Sequence, residues 1–218
     1  MPKHFDLIVF DWDGTLVDST QLIVDSVIAA SIDVGLNMPA PSAVRSIIGL
    51  GLHEALVELF GSISEAQLQQ MVARYRFHYF TEDHRVPLFE GVFEAIIELE
   101  KQGFMLAVAT GKGRRGLNQS LERSGLLKYF HATRCVDECN SKPHPQMLLE
   151  LMGELDTEPA RTLMIGDTIH DLQMAQNANV ARVAVTYGAQ PIENLLPCAP
   201  LAYFDNFTKL NQWLIMNA

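Results

Sequence analysis

Cysteine is scarce. Cys135, Cys139 and Cys198 are the only three in 218 residues, too few for a disulfide framework and in keeping with a reducing compartment. The spacing Cys135-x-x-x-Cys139 lacks a second ligand pair, which argues against structural zinc. Basic residues are also few, 16 Lys and Arg against 26 Asp and Glu, for a formal charge of -10. Neither half of the chain is basic, so nothing points to a nucleic-acid or anionic-membrane surface. No apolar run reaches the length of a membrane span. Met1 to Phe5 pass straight into an aspartate-bearing segment, without the apolar stretch of a signal peptide. Repeats and low-complexity tracts are missing as well. The expectation is a soluble cytoplasmic protein with no nucleic-acid and no membrane partner.

What is present is a globular composition, 48% hydrophobic and 19% charged. The length suits one domain, or a core domain carrying a smaller insert. The run Leu7-Ile8-Val9-Phe10 reads as a buried parallel strand. It ends abruptly in Asp11-Trp12-Asp13-Gly14-Thr15. Open α/β sheets place their ligands just past the carboxyl ends of their strands, where these two aspartates fall. An ordinary Asp-Gly turn is the rival explanation, and it weakens only if other strand ends supply partners.

Downstream, helical patterns cover about residues 20–34, 42–48 with Ser42 as N-cap, and 52–60. Another is opened by the capping-box pair Ser64 and Gln67 and runs to about 80. No strand interrupts this stretch, which is too long for a simple crossover and reads as a helical insert. Phe77, Tyr79 and Phe80 form an aromatic cluster expected to glue the insert to its hinge. Strands then recur at about 104–109, 131–133, 162–165 and 180–185, with a short edge segment at 199–203. Helices are expected between them, at about 92–102, 115–124, 145–152 and 171–176, and a last one is capped by Asn206. This alternation implies a parallel sheet with helices on both faces.

Three of these strands end in polar groups of related use. The first delivers Asp11 and Asp13, the second Thr110 and a later one Asp167, while Lys142 precedes a helix between them. Carboxylates gathered at one sheet edge repel unless a cation separates them. Oxygen ligands without a His or Cys cluster favour Mg²⁺. A lysine and a hydroxyl then suit a transferring phosphoryl group. One aspartate can attack to form an acyl-phosphate while the other moves protons. Chemistry alone leaves open which does which.

Four separated motifs carry a resemblance. They are Asp11-Trp12-Asp13-Gly14-Thr15-Leu16-Val17-Asp18-Ser19, Thr110 at a strand end, Lys142-Pro143, and Gly166-Asp167-Thr168-Ile169-His170-Asp171. In that order they resemble the haloacid dehalogenase superfamily of phosphohydrolases, most closely its bacterial phosphoglycolate phosphatase-like branch. The resemblance implies a Rossmann-like α/β core with strand order 3-2-1-4-5 and an inserted all-helical cap. The core would span 1–18 and 87–218, and the cap 19–86.

The same resemblance implies Asp11 as nucleophile and Asp13 as general acid and base. Mg²⁺ would be held by the Asp11 carboxylate, the Asp13 backbone carbonyl and Asp167, with Asp171 a ligand or its support. Thr110 and Lys142 would act on the phosphoryl group, and Thr110, Gly111, Lys142 and Arg114 form the expected substrate-binding set. Two positions depart from the family pattern. Gly111 stands where many relatives have asparagine, followed by the cations Lys112, Arg114 and Arg115, and Asn179 replaces a common glycine. The implied function is Mg²⁺-dependent hydrolysis of a small phosphorylated metabolite through an aspartyl-phosphate, by a monomer or homodimer. Phosphoglycolate leads, ahead of a sugar phosphate, a nucleoside monophosphate or pyrophosphate. A phosphosugar mutase of the same branch and a non-catalytic phosphometabolite-binding or regulatory protein are the alternatives.

Overall fold

The structure, a computed structural model, describes residues 4–218. Its strands are β1 (Leu7–Phe10), β2 (Met105–Thr110), β3 (Ala132–Cys135), β4 (Thr162–Gly166), β5 (Ala181–Val185) and β6 (Tyr203–Phe204). All four side chains of β1 are inaccessible to solvent. A strand covered on both faces has no call for polar alternation, which explains the unbroken apolar run. The sheet order is β3-β2-β1-β4-β5-β6, with every pair parallel. β1 is therefore internal, the order 3-2-1-4-5 is extended by β6, and the edge segment expected at 199–203 forms a strand only from Tyr203 to Phe204. Asn179, just ahead of β5, takes φ 57°, a conformation asparagine tolerates better than most residues.

Between β1 and the rest of the sheet lie four helices, α1 (Thr20–Val34), α2 (Pro41–Ile47), α3 (Leu52–Phe60) and α4 (Glu65–Glu82). They share an apolar cluster that includes Val24, Val27, Val44, Leu56, Leu68 and Met71. α4 starts on the reciprocal box, with Gln67 N–H donating to Ser64 Oγ and Ser64 N–H to Gln67 Oε1. α2 begins earlier than expected, its cap lying two residues ahead of Ser42. Pro41 takes its first turn and Ala40 the cap position, so Ser42 lies inside the helix. Proline's fixed φ and missing donor suit that place. The two connections to the insert run side by side: Asp18 N–H donates to Pro87 O at 3.0 Å and Phe89 N–H to Leu16 O at 3.0 Å.

The remaining helices are α5 (Val92–Lys101), α6 (Arg114–Ser124), α7 (Gln146–Glu154), α8 (Ile169–Asn177), α9 (Ile192–Leu195) and α10 (Phe207–Asn217). Side chains alternate along a strand, so β1 feeds both faces of the sheet. Ile8 and Phe10 pack with residues of α5, α6 and α10, whereas Leu7 and Val9 pack with residues of α7 and α8. The carboxyl ends of β1, β2 and β4 are thereby brought to one edge. Among the described residues, no helix is long and apolar enough to cross a membrane.

Candidate active site

At that edge the chain turns sharply after β1. Gly14 has φ 87°, and a Cβ there would lie 2.2 Å from Asp167 Oδ2. Only glycine satisfies both the turn and the close approach. Trp12 is fully buried, donates from Nε1 to Ser120 Oγ at 2.9 Å and meets Phe130 edge to face. It anchors the motif to α6 and leaves the two aspartates to the cleft.

Asp11 is 2% exposed and Lys142 1%. Lys142 Nζ donates to Asp11 Oδ1 at 2.5 Å and to Asp171 Oδ1 at 2.6 Å. Burial raises the Asp11 carboxyl well above the usual range, Lys142 opposes this, and Asp171 and Asp167 push it further up. Burial would lower the Lys142 ammonium, but Asp11 and Asp171 more than offset that and hold it above its ordinary value. Lys142 is therefore a fixed positive charge.

Asp167 Oδ1 accepts from Thr15 Oγ1 at 2.9 Å and Oδ2 from the Ala189 N–H at 2.7 Å. Burial, followed by the charge of Asp171, pushes its carboxyl up to about 7. Asp171 performs two tasks with its two oxygens. Oδ2 accepts from the Thr168 N–H and hydroxyl and closes a capping box on α8, while Oδ1 holds Lys142. That box starts α8 at Ile169, ahead of the expected 171.

Carboxylate oxygens of Asp11, Asp167 and Asp171 lie within 4.8 Å of one another, all buried. With Asp13 they make four carboxylates against two ammonium groups, Lys142 and Lys112. The formal excess of two negative charges, in all-oxygen surroundings, matches a hard divalent cation. Burial first and neighbouring carboxylates after it raise Asp11 and Asp167 alike, and a bound cation would relieve both.

Asp13 sits between core and insert. Its Oδ1 accepts from Ser19 Oγ at 2.8 Å, from Lys112 Nζ at 3.2 Å and from the Tyr79 hydroxyl at 3.4 Å. Lys112 Nζ also donates to Tyr79 Oη at 2.7 Å and lies over the ring of that residue. Burial, then Asp13 and Asp83, raise the Tyr79 phenol, which stays protonated as a donor. Thr110 is buried, and its oxygen accepts from the Lys112 N–H at 3.1 Å. Its own hydroxyl proton is left for a ligand.

A cavity of about 510 Å³ opens over these groups, with Asp11, Asp13, Thr110, Gly111 and Lys112 among its lining. Residues of α1, α3 and α4 line its far side. The loop before α3 presses onto the core. A Cβ on Gly111 would lie 2.5 Å from Leu50 O and 2.6 Å from Gly49 O, and Gly51 N–H donates to Ser141 Oγ at 2.8 Å. Gly111, expected to contact substrate, thus also has a packing reason for lacking a side chain. His170, without an expected role, places Nε2 3.1 Å from Ser46 O and ties α8 to α2.

The structure separates Arg114 from the other expected substrate contacts. Its guanidinium pairs with Glu138 at 2.6 Å and donates to Thr133 Oγ1 at 2.6 Å, tying α6 to β3, and it does not line the cavity. The neighbouring Arg115 does. Tyr79 was assigned to hinge packing and instead reaches Asp13. Tyr79 is buried while Phe77 and Phe80 are exposed, a difference that follows from how α4 seats on the core.

Residues 8–185 match the model of the haloacid dehalogenase-like hydrolases. The chain belongs to that family. "Probable phosphatase IndB" of Dickeya dadantii (strain 3937) is 35% identical over 210 residues, covering 94% of this chain and 91% of the relative. "Pyrophosphatase PpaX" of Bacillus mycoides (strain KBAB4) is 33% identical, covering 83% of each chain. Among solved structures, a predicted phosphoglycolate phosphatase from Haemophilus somnus 129pt superposes with TM-score 0.85 at 28% identity, over 97% of this chain and 99% of the other. This haloacid dehalogenase-like hydrolase is a phosphatase.

Proposed function

We propose that the protein is a Mg²⁺-dependent phosphomonoesterase acting on a small phosphorylated metabolite through an aspartyl-phosphate on Asp11. The observation that carries this reading is the buried set of Asp11, Asp167 and Asp171 around the single ammonium of Lys142. Asp11 and Asp167, with the Asp13 backbone carbonyl, would hold Mg²⁺, and Asp171 supports them through Lys142. When bound, the ion supplies charge neutralisation to the phosphoryl oxygens.

Asp11 Oδ1 is occupied by Lys142, so Oδ2 is the oxygen free to attack phosphorus. As the new bond forms, the bond from phosphorus to the ester oxygen breaks, and protonated Asp13 delivers its proton to the leaving alkoxide. Asp13 then takes a proton from water, whose oxygen attacks phosphorus and releases the Asp11 carboxylate and inorganic phosphate. Thr110 donates its free hydroxyl proton to a phosphoryl oxygen, and Lys142 keeps Asp11 aimed. The four-helix insert acts as a cap that closes over the cleft and excludes water.

Phosphoglycolate is the lead substrate, supported by the family branch and by the name of the Haemophilus somnus neighbour. Pyrophosphate is the second candidate, supported by the name of the Bacillus relative. Hydrolysis of para-nitrophenyl phosphate with Mg²⁺ is expected in the wild type and lost by at least about a thousandfold in Asp11→Asn. Equal rates for the two proteins would sink the mechanism.

A further inference from the structure

A second, more open recess of about 460 Å³ adjoins the catalytic chamber, and the two share Arg76, Phe80 and Arg115 in their walls. Arg76 comes from the insert and Arg115 from the first turn of α6 in the core. Both are exposed, and neither has an ion-pair or hydrogen-bond partner among the described residues. The third arginine of the recess, Arg123, is neutralised by buried Asp83 at 3.0 Å, and Asp83 is the only acid in that wall. Two uncompensated guanidinium groups thus flank one opening in a chain of formal charge -10. Local helix energetics does not explain Arg115, because a cation at a helix N-terminus opposes the dipole.

We infer that Arg76 and Arg115 form an anion-binding subsite at the cleft mouth, which reads a second negative group on the leaving portion of the substrate. Guanidinium forks suit carboxylate and phosphate alike, so the shared chemistry is an oxyanion. The helix and loop geometry sets its distance. Arg76 lies one helical turn from Tyr79, and Arg115 three residues beyond Lys112, the two groups that touch Asp13. The subsite is therefore displaced along the cleft wall, by about one helical turn on the insert side, from the groups at Asp13. That spacing favours a leaving group whose two anionic ends are separated by a short carbon chain. In pyrophosphate the second anion lies beside the scissile phosphate, within reach of Lys112 instead, whereas phosphoglycolate, whose phosphonate isostere is 3-phosphonopropionate, is the shortest substrate with a carbon between the two. The inference builds on the phosphatase reading by naming a feature of its substrate.

Calorimetric binding to the Mg²⁺-loaded full chain tests it without requiring turnover. The probes are propylphosphonate, phosphonoacetate, 3-phosphonopropionate and propane-1,3-bisphosphonate, so the carboxylate and phosphonate arms separate the two sources of the anion. At least one of the last two is expected to bind at least tenfold tighter than propylphosphonate and tighter than phosphonoacetate. Arg76→Ala and Arg115→Ala are each expected to narrow that gap by about tenfold, and Arg76→Glu to abolish it, with thermal unfolding reporting the fold of each variant. Arg85→Ala removes an exposed arginine that lines neither cavity and is expected to preserve the gap. Equal affinities for all four probes, or a gap that survives both alanine substitutions, would overturn the subsite. Failure of the Asp11-dependent hydrolysis described above would instead overturn the catalytic reading, and these affinities would still decide the subsite.

Discussion

Replacing Lys142 by methionine keeps an unbranched side chain of similar length while deleting the one ammonium between Asp11 and Asp171. Both contacts are short, 2.5 and 2.6 Å, and the lysine side chain is 0% exposed. Removing one partner of a buried ionic cluster leaves uncompensated charge and costs about 3–5 kcal/mol. Against a typical domain stability of about 5–15 kcal/mol the loss is large. With a urea slope of about 1–3 kcal/mol/M, the unfolding midpoint is expected to fall by about 1–2 M or more at pH 8 with a chelator present. The deficit also depends on pH. Without Lys142 the folded carboxyl of Asp11, already raised by burial, titrates higher still, so the folded variant binds more protons than the folded wild type. Its stability relative to wild type therefore declines as pH rises and recovers as pH falls and that carboxyl protonates. Urea melts of both proteins at pH 5 and pH 8 measure this, and the gap is expected to be smaller at pH 5. A deficit below about 1 kcal/mol at pH 8 would refute the reasoning, and so would a deficit equal at the two values.

Three further outcomes are expected. Gly111→Ala places a Cβ against Leu50 O and Gly49 O, so the insert is displaced and kcat/KM on an aryl phosphate falls by about tenfold or more; an unchanged value would show that this contact does not govern closure. Tyr79→Phe removes the hydroxyl shared by Asp13 and Lys112. The loss of two such bonds, about 1 kcal/mol each, predicts a fall in kcat of roughly tenfold or more in a steady-state assay on an aryl phosphate, and an unchanged kcat would show that this hydroxyl does not position Asp13. Burial pushes the Cys135 thiol up to about 12 and the Cys139 thiol up to about 11. Iodoacetamide at pH 8 is therefore expected to label them roughly 100-fold more slowly in the folded protein than in urea, because less thiolate is present, and mass spectrometry after timed quenching reads the difference.

The gathering of the candidate site's side chains at one edge was legible because its signals are local. A buried run of strand formers ends in an aspartate or threonine at Asp11, Thr110 and Asp167, and parallel topology carries those ends together. The insert was legible as sixty residues of helix without a strand. What escaped depends on helical phase and on docking. Arg114 and Arg115 are adjacent, yet a step of about 100° on α6 sends one to Glu138 and the other to the cavity. Tyr79 could not be told from Phe77 and Phe80 by composition, since only the seating of α4 on the core decides which ring turns toward Asp13. Gly111 was expected to contact substrate, and its packing neighbours Gly49 and Leu50 come from a loop some sixty residues away. The start of α2 was misread because Ser42 is a good cap in isolation and Pro41 is a better first residue.

The paired connections at Asp18 and Pro87 have a consequence for how this architecture can vary. The insert leaves and rejoins the core at neighbouring backbones, joined by a bond of 3.0 Å, so the core closes on itself whatever lies between them. Loop-closure entropy grows only slowly with length, and exchanging the intervening segment costs the sheet little. The chemistry of β1 and the choice of substrate are in this sense separately heritable. A foreign helical segment grafted at these two residues would meet an unchanged sheet edge, and would have to supply its own counterparts of Tyr79 and of the Gly49 to Gly51 loop that seats on Gly111 and Ser141.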